Sequence, residues 1–86
     1  MKLTRTDRFK RAWQELTEEE KNLFRKALGN LATDLHYPAL RVKKMQGVKH
    51  IWEARVSRSL RMTFEIKNDT IILRNIGRHD ETLGRP

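Results

Sequence analysis

The chain has 86 residues, which suits one small domain (1–86) with a modest apolar core. It contains no cysteine, which excludes disulfide staples and zinc–cysteine clusters, and no apolar run approaches the roughly 20 residues that a membrane span needs. The net charge of +8 is unevenly placed: residues 1–34 carry 8 basic and 6 acidic side chains, residues 35–86 carry 11 and 5. The C-terminal half is therefore the one suited to a phosphate-bearing or acidic partner.

Residues 1–5 are too short to assign, and read as a frayed end or a short strand. The basic start, MKLTRTDRFKR, leads into no apolar stretch, so it is not a secretory signal, and a cytoplasmic location is expected. Thr6 suits an N-cap, with Asp7 in the first turn where a negative charge favours the helix dipole. Phe9, Ala12, Trp13 and Leu16 follow at i, i+3, i+4 and i+7, one apolar helical stripe. On that stripe Trp13 reads as core and not as a base-stacking platform.

Thr17 with Glu20 forms a capping box for a second helix, continued by Phe24, Ala27, Leu28, Leu31 and Leu35. Gly29 inside this run costs about 1 kcal/mol against alanine, and marks either a close contact or an early fray. The short link makes residues 6–35 a helical hairpin. Glu18, Glu19 and Glu20 serve its helix terminus and not catalysis. Pro38 bars a helix through His36-Tyr37 and begins an extended segment, Ala39 to Met45, ending near Gly47. Arg41, Lys43 and Lys44 make this piece basic, as a ligand surface or as edge-protecting lysines. His36 and His50 lack partners in the sequence and receive no role.

Three strands follow within residues 51–79. Leu60, Met62, Phe64 and Ile66 alternate with Arg61, Thr63, Glu65 and Lys67, one apolar and one polar face. Asn68-Asp69 reads as a two-residue turn, which pairs Lys67 with Thr70, Glu65 with Ile72 and Thr63 with Arg74. An odd loop, Ser57-Arg58-Ser59, puts Val56 opposite Leu60 and Arg55 opposite Arg61, beside Glu53. Two arginines across a ladder repel each other. A face with Arg55, Arg61 and Arg74 suits an anion; the alternative is a solvated face balanced by Glu53 and Glu65. The end of the chain, from Gly77, reads as a polar turn into a short tail. No Walker A loop, HExxH or GxSxG occurs, and no metal or cofactor is expected.

The order of helix, helix, basic segment and strands resembles the RelE/ParE toxin superfamily. The resemblance is carried by LRVKKMQG (Leu40–Gly47), IWEARVSRSLRMTFEI (Ile51–Ile66) and IILRNIGRHDETL (Ile71–Leu83). It implies an α+β fold like that of microbial ribonucleases, an N-terminal helical hairpin packed on a small antiparallel β-sheet. It also implies the toxin of a type II toxin–antitoxin module, with a cognate antitoxin as partner. Members similar to RelE, YoeB, YafQ and HigB cut mRNA on the ribosome without a metal, by attack of a ribose 2′-OH on the adjacent phosphate. By that resemblance Arg61 matches a scissile-phosphate ligand, Arg55 a transition-state cation and His79 a general acid or base. Glu53 matches a position where a carboxylate or lysine acts, and Lys43 a backbone ligand or base. Arg41, Lys44, Arg58, Arg74 and Arg78 complete the expected RNA-binding set. Leu83 departs from the pattern where several members carry a base-stacking aromatic. The alternative within the superfamily is a non-catalytic ParE-like toxin that binds DNA gyrase.

Overall fold

The computed structural model describes residues 2–86. Its longest ladder is the antiparallel pair β4 (Leu60–Lys67) and β5 (Thr70–Arg78). Asn68 turns the chain between them at φ 57°, a left-handed conformation that asparagine tolerates better than most residues. Lys67 pairs with Thr70 and Glu65 with Ile72, as the turn predicts. The register then shifts by one: Phe64 faces Leu73, but Thr63 faces Asn75, so Arg74 is the extra residue of a β-bulge and not the partner of Thr63. The shift has a packing cause. Unbroken pairing would set Ile76 opposite Arg61 on the charged face; with the bulge, Ile76 pairs with Met62 and both are buried.

β3 (Trp52–Arg55) adds antiparallel to β4, with Arg55 opposite Arg61, and the Val56 amide donates to the Leu60 carbonyl at 3.0 Å. β2 is only Lys43–Lys44, paired with β3. The expected extended run from Ala39 is replaced by a 3-10 turn, Pro38–Leu40. Proline's fixed φ suits a helical first position, and the turn buries Leu40 in the core. On the far side β1 (Lys2–Arg5) pairs with β5, and this pair is parallel. The sheet order is β1-β5-β4-β3-β2, antiparallel except at β1.

The helices form where their caps place them. Thr6 accepts from the Phe9 amide at the start of α1 (Asp7–Gln14), and its hydroxyl donates to the Arg74 carbonyl at 3.0 Å. The Thr17–Glu20 capping box opens α2 (Glu18–Thr33). Gly29 neither touches a neighbour nor ends this helix, which continues to Thr33. Phe9, Phe24, Ala27, Leu31 and Leu40 meet Ala54, Met62, Phe64, Ile71, Leu73 and Ile76 in one core. Each buried large apolar side chain contributes about 1.5–3 kcal/mol. Among the described residues no helix is long and apolar enough to cross a membrane.

The expected tail is instead a helix, α3 (His79–Gly84). Asp80 and Glu81 favour its first turn, and Thr82 is buried. It lies against β4 and β5 on the polar face, and the Arg8 guanidinium of α1 donates to the Arg85 carbonyl at its end at 3.1 Å. Gly77, the partner of Arg61, makes room for it: a Cβ there would stand 2.9 Å from the Thr82 hydroxyl oxygen. Beyond α3 the Pro86 carbonyl accepts from Thr63 at 3.0 Å and Arg74 at 3.1 Å, and the Arg85 carbonyl accepts from Asn75 at 2.8 Å. Gly77→Ala should therefore destabilise the protein by about 1–3 kcal/mol through overpacking, and Thr82→Ala should recover much of that loss in the double mutant. Urea unfolding of the four proteins in this cycle measures the coupling; simple additivity would refute the clearance.

Candidate RNA-binding and catalytic face

The pleat arranges the polar face in rows. Lys43, Glu53, Thr63 and Asn75 form one row, cross-strand partner to partner, and Arg55, Arg61 and Gly77 form the next. Glu53 is 14% exposed and sits 3.6 Å from the ammonium of the much more exposed Lys43. The Arg61 guanidinium folds back on the loop between β3 and β4, donating to the Ser57 carbonyl at 2.8 Å and the Leu60 carbonyl at 2.9 Å. These two bonds fix its plane. Partial burial holds the Arg61 pKa below the ordinary guanidinium value; Arg55 pushes it further down, Glu53 opposes the shift, and Arg41 adds a smaller downward push. The group remains a cation at neutral pH, in a position where a bound anion would be favoured.

His79 reaches the same loop from the other side. Its backbone amide donates to the Ser59 carbonyl at 3.1 Å, and its ring Nδ1 lies 3.1 Å from an Asp80 carboxylate oxygen. The imidazole is 53% exposed, open to a ligand on this face. Asp80 was not among the sequence-derived candidates; its adjacency to His79 at a helix start is the signal that could have found it. A carboxylate in this place can orient the ring by accepting from Nδ1.

Arg41, Lys43, Glu53, Arg55 and Arg61 thus gather on one face, with Arg58 and His79 at the loop that borders it. The other candidates are on the opposite face, already paired, or in a separate groove. Lys44 pairs with Trp52 and sits over its indole, 5.2 Å from the ring centroid, on the opposite face. Arg74 is held by Glu65 at 2.6 Å and by the Pro86 carbonyl. Arg78 pairs with Leu60 and lines a groove of about 870 Å³ with Arg8, Arg11 and Arg85 between α1 and α3. Among the described residues, no three His, Cys, Asp or Glu side chains are grouped to hold a metal ion.

No family model and no curated protein matches the sequence. Solved structures match its fold. The RelB–RelE antitoxin–toxin complex of Methanococcus jannaschii aligns over 87% of this chain and 88% of that one, with TM-score 0.72 and 17% identity. A metal-bound toxin from Helicobacter pylori aligns over 94% and 97%, with TM-score 0.75 and 22% identity. The YoeB/ParE toxin of Agrobacterium tumefaciens aligns over 92% and 99%, with TM-score 0.75 and 14% identity. The chain has the α+β fold of the RelE and YoeB/ParE toxins.

The opposed arginines yield a prediction about stability. Arg55→Gln removes one side of a like-charge pair and should stabilise the fold by about 0.5 kcal/mol at low salt. That gain should shrink as sodium chloride is raised and the repulsion is screened. Thermal unfolding across a salt series tests this; a destabilised or salt-indifferent variant would contradict it.

Proposed function

We propose that this chain is the toxin of a type II toxin–antitoxin module, acting in the cytoplasm as a ribosome-dependent mRNA endoribonuclease. The observation that carries the reading is the row geometry: Arg55 beside Arg61, with Glu53 next to both Lys43 and Arg61, and His79, at the start of α3, bonded to the bordering loop. The shared fold and the antitoxin-bound state of the archaeal RelE structure support it.

In this mechanism the scissile phosphate binds between the two guanidiniums, each able to donate two hydrogen bonds to its oxygens. The Glu53 carboxylate takes the proton from the ribose 2′-OH, and the freed oxygen attacks the adjacent phosphorus. Charge gathers on the equatorial oxygens of the phosphorane, where Arg55, Arg61 and the nearby Lys43 stabilise it. The bond from phosphorus to the 5′ oxygen then breaks, and His79 protonates that oxygen. The products are a 2′,3′-cyclic phosphate and a free 5′-OH end. No metal enters these steps. Arg41 and Arg58 extend the cationic track for the RNA backbone, so binding should weaken as salt rises.

A second reading is favoured by one feature. Leu83, in α3, departs from the base-stacking aromatic that the family resemblance implies near this position, which suits a toxin that binds DNA gyrase without cutting RNA. Cell-free translation with 5′-end mapping separates the two. The nuclease reading predicts new 5′-OH ends in mRNA only with ribosomes, with Arg61→Ala and His79→Ala each slowing cleavage about 10²-fold or more while remaining folded. Intact mRNA with impaired gyrase supercoiling would establish the alternative.

A further inference from the structure

Among the described residues β1 covers β5 only from Thr70 to Leu73, so the edge of β5 beyond the bulge carries no strand. That edge, Asn75 to Arg78, floors the groove of about 870 Å³ between α1 and α3. Backbone groups of a strand alternate in direction, and the His79 amide points to the β4 side, toward the Ser59 carbonyl. The Ile76 and Arg78 amides therefore point into the groove. The Asn75 side chain accepts from the Ile76 amide at 2.9 Å, whereas no strand among the described residues accepts from the Arg78 amide.

The two walls of the groove share one polarity. On α1, Arg8, Arg11 and Glu15 follow at i, i+3 and i+7, a rise of about 10 Å along one helix face. On α3, Glu81 lies in the first turn and Arg85 just past the end, where the chain has returned to Asn75. The Arg8 guanidinium and the Asn75 side-chain amide both donate to the Arg85 carbonyl, at 3.1 and 2.8 Å, and close this end. The closed end is thus cationic, with Arg8, Arg11 and Arg85. The mouth carries Glu15 and Glu81, together with Arg78; Glu20 beside it is held by the Thr17 amide. Between the two ends the lining is apolar, from Ala12, Leu16 and Leu60.

We propose that this groove binds a free nucleoside monophosphate whose base carries an exocyclic amine. The phosphate enters the closed end and accepts from Arg11 and Arg85. The base lies over Ala12 and Leu16, a ring nitrogen accepts from the Arg78 amide, and the planar Arg78 guanidinium stacks on the ring. The exocyclic amine donates to a carboxylate at the mouth. An RNA strand fits less well, because its phosphates repeat along the chain and one would fall against Glu15 and Glu81. The site is separate from the cationic sheet face and does not depend on the function proposed above.

Titration of ¹⁵N-labelled protein with adenosine 5′-monophosphate (AMP) tests the site. The comparisons are inorganic phosphate, inosine 5′-monophosphate, which has an oxygen in place of the amine, and the dinucleoside phosphate ApA. At millimolar AMP, shift changes should centre on Arg11 and on Asn75 to Arg78, and each comparison ligand should bind about tenfold or more weakly. Arg11→Gln should weaken AMP about tenfold while leaving the thermal midpoint nearly unchanged, since Arg11 is an exposed residue of α1. Glu15→Gln with Glu81→Gln should remove most of the preference for AMP over inosine monophosphate, because an amide serves either base. Shifts centred on Arg55 and Arg61, equal affinity for phosphate or for ApA, no binding at millimolar AMP, or wild-type affinity in Arg11→Gln would each overturn the site.

Discussion

The β4–β5 ladder and its bulge at Arg74 set the position of every other part. β1 and β3 pair on its two sides, Thr6 ties the start of α1 to the Arg74 carbonyl, and α3 rests where Gly77 leaves space. The one-residue slip keeps Met62 and Ile76 in the core while setting Gly77, without a side chain, opposite Arg61. A straight ladder would have put a large apolar residue in that place and closed the cationic face. Packing and the site therefore depend on the same irregularity.

The cationic face opposes folding, and its neighbours limit the damage. Arg55 and Arg61 repel, and partial burial makes Arg61 harder to charge. Glu53 offsets part of this, and the Ser57 and Leu60 carbonyls take up two of the Arg61 hydrogen bonds. A purely structural strand would place an uncharged residue or an acid opposite Arg61. Retaining two cations here is consistent with a site whose electrostatics are completed by an anion, with stability given up for binding. Arg74 shows the contrasting arrangement, an arginine already paired with Glu65 and bound to the chain's last residue.

Much of this was legible in the sequence because it was local. The two N-caps, the apolar stripes of α1 and α2, the Asn68-Asp69 turn and the opposition of Arg55 to Arg61 all follow from spacing within one or two elements. What was not legible depended on residues far apart. β1 pairs with a strand about 68 residues away in the chain, and four residues carry too weak a pattern to announce a parallel edge. The bulge answers the demand that Ile76 be buried, which no turn rule contains. α3 is short and polar, and is held by Gly77 and Thr82 and not by an apolar stripe. Lys44 adjoins Lys43 in sequence, yet the pleat sends the two to opposite faces, so only Lys43 reaches Glu53. The site's centre could be read from the ladder, whereas its border required the fold.

The proposed function requires Arg55 and Arg61, cross-strand partners, to hold a phosphate-like anion between them. Thermal unfolding of wild type and Arg55→Gln, with chloride replaced by inorganic phosphate at constant ionic strength, tests it most directly. A ligand that binds only the folded state raises its stability in proportion to occupancy. The account predicts a larger rise in midpoint for wild type than for Arg55→Gln, since the general effect of phosphate on burial acts on both alike. Equal rises in the two proteins would contradict it, and would leave the paired arginines an electrostatic burden without a ligand.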